Sequence, residues 1–244
     1  MPVEEIVPGL HRNLKGYANA YAIEDGDGLV LIDTGLPQRA PRVIAAAREL
    51  GLAPRDIGTI LVTHHHNDHV GSLADLVKLT GATVYVHEGD APVVSGACPA
   101  PGPNRARLSG RTLGPLIMRL SNSRADPAEI DHELVDGQDL DVAGGLRAVH
   151  TPGHTPGQTS FLWNRRGGVL IAGDAAGARG RTVAPPVGAL VGMFTEDPEE
   201  AKRSFGKLAR LDFEVAVFGH GGPIRERASE AFRRAAHKLG VMAD

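Results

Sequence analysis

Two spacings of apolar residues alternate along this chain. Short runs at 19–23, 29–32, 59–62, 82–86, 158–163, 168–172 and 215–218 are largely apolar and bounded by turn residues, which predicts buried strands. Glu24-Asp25-Gly26-Asp27-Gly28 and Arg165-Arg166-Gly167 join two pairs of these runs as hairpins, and Gly144-Gly145 divides 134–150 into two more strands. Other stretches carry apolar residues at helical spacing. Val43, Ile44, Ala47 and Leu50 predict a helix over 38–50 that Gly51 stops, and 72–80 reads as a second, with Ser72 near its N-cap and Gly81 at its end. Asp197-Pro198-Glu199-Glu200 opens a third, which runs to about Leu211, with Asp197 as cap and Pro198 at the first position. A fourth, amphipathic, covers 224–239. Strand, helix and strand over 59–86 make an α/β half-motif.

The pattern breaks twice. Residues 175–195 hold Gly177, Gly180, Pro185, Pro186 and Gly188 and are predicted to be a loop. In 89–130, Pro92, Gly96, Pro99, Pro101, Gly102 and Pro103 exclude a long regular element from the first half, whereas 113–120 is apolar, has Arg111, Arg119 and Arg124 around it, and is predicted helical. A segment this long inside a compact chain is usually functional, and its Leu, Ile and Met residues call for burial. It reads as a lid or substrate loop.

Composition narrows the class. With 244 residues, 42% hydrophobic and 23% charged, the chain is expected to fold as one soluble domain over 1–244 with ample core. A net charge of -3 gives no reason to expect nucleic acid as a partner. Cys98 is the single cysteine, so an internal disulfide is excluded, and no motif around it marks a nucleophile. The N-terminus lacks a basic region followed by an apolar run, and no apolar stretch approaches ~18 residues. A cytoplasmic enzyme acting on a small molecule, with no membrane partner and at most further copies of itself, is the expectation.

The candidate chemistry lies in Thr63-His64-His65-His66-Asn67-Asp68-His69, between a predicted strand and a predicted helix. Imidazole nitrogen and carboxylate oxygen are both good ligands for a divalent metal. A loop at the end of a strand is where α/β proteins commonly place their chemistry. By alternation His65 points away from its neighbours and stays unassigned. Asp33, at the end of the 29–32 run, fits a turn before Thr34-Gly35. His87 and His150 read as strand-end residues, and Trp163 as core or sheet surface.

His64-x-His66-x-Asp68-His69 resembles the HxHxDH signature of the metallo-β-lactamase superfamily. The other family motifs follow in order: Asp33-Thr34-Gly35, Thr151-Pro152-Gly153-His154-Thr155-Pro156-Gly157, Gly173-Asp174 and Phe218-Gly219-His220-Gly221. The resemblance spans about residues 6–223. It implies an α/β fold of four αββα layers, two similar halves packed sheet to sheet with helices outside. It further implies two divalent cations, zinc first, with manganese or iron as alternatives. His64, His66 and His154 would hold one, Asp68, His69 and His220 the other, and Asp174 would bridge them. Asp33 would sit behind the ligands and fix the HxHxDH loop, a role compatible with its turn. Two such cations share a water and make it hydroxide near neutral pH, and Asp68 lies where it could orient that hydroxide and pass on its proton.

Branches of the family separate by residue. The flavodiiron reductases carry Glu at the place of His66. The secreted β-lactamases lack the bridging Asp or use a Cys ligand. The nucleases bring extra domains. Glyoxalase II shares all seven ligands, but its glutathione site lies in a C-terminal extension, and 24 residues follow His220 here. Many lactonases add a Tyr after the bridging Asp, and this sequence has none after Tyr85. The resemblance therefore implies a glyoxalase-II-like hydrolase of an ester, thioester or lactone. The alternative is a persulfide dioxygenase of the same fold, which holds one iron with two His and an Asp.

Overall fold

A computed structural model describes residues 3–14, 17–103, 125–178 and 186–242. Its first half runs β1 (Glu4–Val7), β2 (Leu10–Leu14), β3 (Ala20–Asp25), β4 (Gly28–Ile32), α1 (Ala40–Glu49), β5 (Ile57–Leu61), α2 (Asn67–Val70), α3 (Leu73–Thr80), β6 (Thr83–His87), α4 (Ala91–Val94) and β7 (His132–Leu134). Its second half runs β8 (Asp139–Leu140), β9 (Leu146–His150), β10 (Thr159–Trp163), β11 (Val169–Ile171), β12 (Ala176–Ala178), β13 (Val187–Ala189), α5 (Pro198–Leu208), β14 (Val215–Val217) and α6 (Ala228–Leu239). Strands β1 to β7 form one sheet in sequence order, and the second sheet has the order β14-β11-β10-β9-β8.

The layers follow from period-2 burial. In β4, Leu29 and Leu31 join Val43, Ile44, Leu73 and Leu76 in a core beneath α1 and α3. The alternate residues Val30 and Ile32 pack with Phe161, Trp163, Ile171 and Val217 in a core between the two sheets. In the second sheet Leu170 and Ala216 turn outward to meet Phe205, Leu208 and Phe232 under α5 and α6. Helix, sheet, sheet, helix is the four-layer αββα sandwich expected. Truncating the fully buried Phe161 to Ala would cost about 3–5 kcal/mol.

Strands β4, β5 and β6 are parallel to one another. Strand β9 pairs antiparallel with β10, β10 antiparallel with β11, and β11 parallel with β14, so β9, β11 and β14 also run in one direction. The segments after all six strand ends supply the site. Asp197 accepts from the backbone N–H groups of Glu199 and Glu200 at 3.0 and 2.9 Å, as its cap role predicts. Trp163 is buried and donates from Nε1 to the Ala143 carbonyl at 2.8 Å.

Several elements differ from the sequence reading. Ser72 precedes α3 but does not cap it, because its Oγ donates to the Leu36 carbonyl and accepts from Arg39 N–H. The last helix starts at Ala228 rather than 224, since Ile224 and Ala216 exchange two backbone hydrogen bonds. Residues 175–195 are not all loop: β12 and β13 pair as a ribbon, with 179–185 outside the described residues. The ends of the 89–130 stretch are not lid either. Ala91, Val94 and Ala128 are buried in the core beneath α1 and α3. The predicted helix at 113–120, with its arginines, lies outside the described residues.

Candidate metal centre

The site begins with a carboxylate behind it. Asp33 has a left-handed backbone, φ 62, which Asp tolerates better than most residues. This turn aims its side chain at the next strand end. Oδ1 accepts from Thr63 N–H at 2.8 Å, and Oδ2 accepts from Thr63 Oγ1 and His69 Nδ1, each at 2.7 Å. Asp33 is thus both a turn residue and the group that fixes the HxHxDH loop. With Nδ1 held by Asp33, Nε2 of His69 is turned toward the other histidines and Asp174. Asp68 and His69 lie in the short helix α2, and Asp68 Oδ2 comes within 3.8 Å of His69 Nε2.

Six of the seven expected residues fall into two sets, His64, His66 and His154, and Asp68, His69 and His220. A third set, His64, His69 and Asp174, spans them, and within each set the donor atoms lie within 4.8 Å of one another. Asp174 Oδ2 is 3.3 Å from His154 Nε2 and 3.2 Å from His220 Nε2, while Oδ1 is 3.7 Å from His69 Nε2. Asp68 Oδ2 is 3.4 Å from His220 Nε2 and 3.8 Å from His69 Nε2. His66 Nδ1 and His154 Nε2 are 3.0 Å apart, a distance at which two lone pairs repel unless a proton or a cation lies between them.

These donors suit divalent cations. His64 Nε2, His69 Nε2 and Asp174 Oδ1 are buried, and none has a hydrogen-bond partner; such atoms are costly unless something else satisfies them. Gly219 keeps the space clear, since a Cβ there would lie 2.1 Å from Asp174 Oδ1 and 2.7 Å from His69 Cε1.

The charges divide the set in two. Burial holds His64, His66 and His154 in the neutral form, below the ordinary histidine range. Burial works against a charge on His69 too, but Asp33, Asp68 and Asp174 outweigh it and raise that group to about 9. His220 is raised to about 11, its desolvation overcome by hydrogen bonds to Asp174 and Asp68. Asp174 is held well below the carboxylate range, the cost of its burial overcome by His69, His220 and His154.

Residues that the sequence reading did not single out hold this set. Tyr21 Oη and Asn19 Nδ2 both donate to the Phe218 carbonyl, at 2.8 and 2.9 Å, and His220 Nδ1 donates to the Tyr17 carbonyl. Thr195 Oγ1 lies 3.3 Å from His154 Nδ1. Asp90 is fully buried and accepts from His65 N–H at 2.8 Å and from Thr155 Oγ1 and Gly157 N–H at 2.7 Å. Its only sequence signal, an Asp two residues before Pro92, suggests a helix cap, and it makes no cap bond. His65 lies outside the donor sets although its ring stands edge-on to His66 at 4.9 Å; its Nδ1 is 3.2 Å from Asp90 and its Nε2 is 4.0 Å from Glu196. His87 and His150 stack on one another, ring centres 3.8 Å apart, outside the donor sets.

The family model described as the metallo-beta-lactamase superfamily matches residues 14–220. The chain belongs to that superfamily. Among relatives of this metallo-beta-lactamase-superfamily protein, "Probable metallo-hydrolase YflN" of Bacillus subtilis (strain 168) is 30% identical, over 90% of this chain and 86% of its own. A hydroxyacylglutathione hydrolase of Pseudomonas putida is also 30% identical, over 77% of this chain but 54% of its own length. Among solved structures, a metallo-beta-lactamase family protein from Thermus thermophilus is 29% identical with a TM-score of 0.67, covering 97% of this chain and 81% of that one. The subclass B3 metallo-beta-lactamase of Bradyrhizobium japonicum, 22% identical over 98% of this chain and 91% of its own with a TM-score of 0.72, shares the fold. Members of the superfamily generally bind divalent metals, and the His and Asp cluster of this chain could hold such an ion. Among the described residues no helix is long and apolar enough to cross a membrane.

Proposed function

We propose that this chain, acting as one domain over 1–244, hydrolyses a small carboxylic ester, thioester or lactone. His64, His66 and His154 would hold one divalent cation and Asp68, His69 and His220 a second, with Asp174 between them. Zinc is the first candidate, manganese and iron the next, and the cytoplasm the expected place. The observation that carries the reading is the set of buried donor atoms without hydrogen-bond partners, His64 Nε2, His69 Nε2 and Asp174 Oδ1, facing one space. Bound there, the cations would supply a Lewis acid for a carbonyl oxygen and a water nucleophile near neutral pH.

The chain's own groups do the rest. Asp68, His220 and His66 are the part-exposed members of the set, with the Asp68 and His220 side chains 18% and 27% exposed. Burial of Asp68 is outweighed by His69 and His220, which hold it below the usual carboxylate range, so near neutral pH its Oδ2 is free to take the proton of the water nucleophile and pass it to the departing oxygen or sulfur. The Tyr17 ring stands edge-on to His220 at 5.2 Å, and the Phe194 ring stands edge-on to His66 at 5.8 Å. They form aromatic walls for an acyl or aryl group on two sides of the site. The lid reading now rests on 104–124. Ala125 N–H donates to Asn67 Oδ1 at 2.9 Å, so the chain leaves that segment beside the metal loop.

Metal analysis of the purified chain, followed by a panel of acyl thioesters, aryl esters and lactones on metal-replete protein, tests the proposal. Two metals per chain and hydrolysis of at least one class are expected. One metal per chain that added zinc, manganese or iron does not raise, together with oxygen uptake on a persulfide and no hydrolysis, would replace this reading with the dioxygenase. Shortening confined to 104–124 should change the preferred substrate while metal content stays. The cut has to spare 89–98 and 125–130, because Asp90, Ala91, Val94 and Ala128 belong to the buried structure.

A further inference from the structure

Two different buried carboxylates stand behind the site. Asp33 serves the HxHxDH loop through His69 and through Thr63, whose Oγ1 also lies 3.0 Å from His64 Nδ1, but it makes no hydrogen bond to the segment around His154. Asp90 lies after β6 and touches none of the proposed ligands. It joins the segment between His64 and His66 to the segment around His154. Oδ2 accepts from His65 N–H at 2.8 Å and Thr155 Oγ1 at 2.7 Å, and Oδ1 accepts from Gly157 N–H at 2.7 Å. His65 Nδ1 lies 3.2 Å from Oδ1, an ion-pair distance without hydrogen-bond alignment. The packing is close on every side: a Cβ on Gly157 would lie 2.5 Å from Asp90 N, and one on Gly89 would lie 3.0 Å from Gly157 N.

The geometry points to Asp90 as the positioning residue of the His64, His66 and His154 set, the clasp that brings a loop of the first sheet and a loop of the second to the spacing at which three imidazoles can share one cation. The inference rests on the two-cation reading above. Its reason is connectivity. All three members of this set are within two residues of a hydrogen bond to Asp90. The other set is held by Asp33 at His69 and by Tyr17, Asn19 and Tyr21 around His220. Asn in place of Asp90 keeps the shape but turns one acceptor oxygen into an NH₂ donor. In either orientation that donor faces a backbone N–H, that of His65 or that of Gly157, and one strand of the clasp opens.

The test is a zinc titration of the metal-free full chain against a chromophoric chelator, with His154→Ala and His220→Ala marking which step belongs to which set. Asp90→Asn should weaken the step that His154→Ala removes by about 10–100-fold, the range for groups that orient metal ligands. It should leave the step that His220→Ala removes within about threefold. Thr155→Val, which deletes one of the clasp's bonds and leaves the buried carboxylate its others, should weaken the same step less, with a metal-free melting temperature near that of the parent. Equal weakening of both steps, or a fall in melting temperature with neither step changed, would make Asp90 structural only and overturn the inference. A parent chain with a single zinc step would refute the two-cation reading instead. Asp90 then keeps its role if Asp90→Asn weakens that step and loses it if the step is unchanged.

Discussion

Gly219→Ala tests the crowding of the site with one methyl group. The added Cβ would lie 2.1 Å from Asp174 Oδ1, where ordinary contact begins at 3.4 Å. Asp174 is buried in front of His69, His154 and His220, so its carboxylate has to retreat by roughly 1 Å or the strand end after β14 has to move. Ligand distances tolerate about 0.2 Å, so a shift of that size takes Oδ1 out of coordination. Overpacking of this kind costs about 1–3 kcal/mol, which for a chain of this size lowers the melting temperature by roughly 2–12 °C. The assay pairs differential scanning calorimetry of the metal-free chain with a zinc titration. A modest loss of melting temperature and a large loss of metal affinity are expected, because the clash is with a proposed ligand rather than with the core. Parent-like zinc affinity together with a parent-like melting temperature would refute the placement of Asp174 against Gly219, and with it the argument that this glycine keeps the space open.

Asp174→Ala should lower occupancy by a second metal more than it lowers stability, since a carboxylate between two cations offsets their repulsion; elemental analysis beside a melting curve checks this. His65→Ala should do much less to metal content, because the backbone N–H that Asp90 accepts from remains. Removing metal should give a stability profile with two sloping sides. His69 and His220 are raised from 6.5 to about 9 and about 11, so their contribution is full below about 6.5 and is lost as the pH climbs through those values. His64, His66 and His154 are depressed, so their contribution is full above about 6.5 and is lost as the pH falls below it. Melting temperatures of the metal-free chain from pH 5 to pH 11 should peak near pH 6.5 and fall on both sides, and saturating zinc should flatten the alkaline side; a metal-free profile that keeps rising to pH 11 would contradict the charge assignment.

The local pattern of residues determined much of this protein. Alternation in 29–32 gave one face to the helices and the other to the second sheet, because side chains of a strand point to opposite faces. The chemistry was legible for the same reason that the HxHxDH spacing is informative: its members sit on one short segment, and their types suit a metal. Contacts across long sequence separations were not legible. Asp90 finds Thr155 and Gly157 at separations of 65 and 67 residues, and Tyr21 reaches the Phe218 carbonyl across 197. Periodicity reports that a residue is buried, not which distant atom it will meet. Ser72 shows the limit at short range, since its hydroxyl had a local use as a cap and the fold offered it Leu36 and Arg39 instead. The ribbon of β12 and β13 shows it again: Gly177 and Gly188 read as loop because a glycine carries no burial signal, and only the pairing of two backbones brings them face to face.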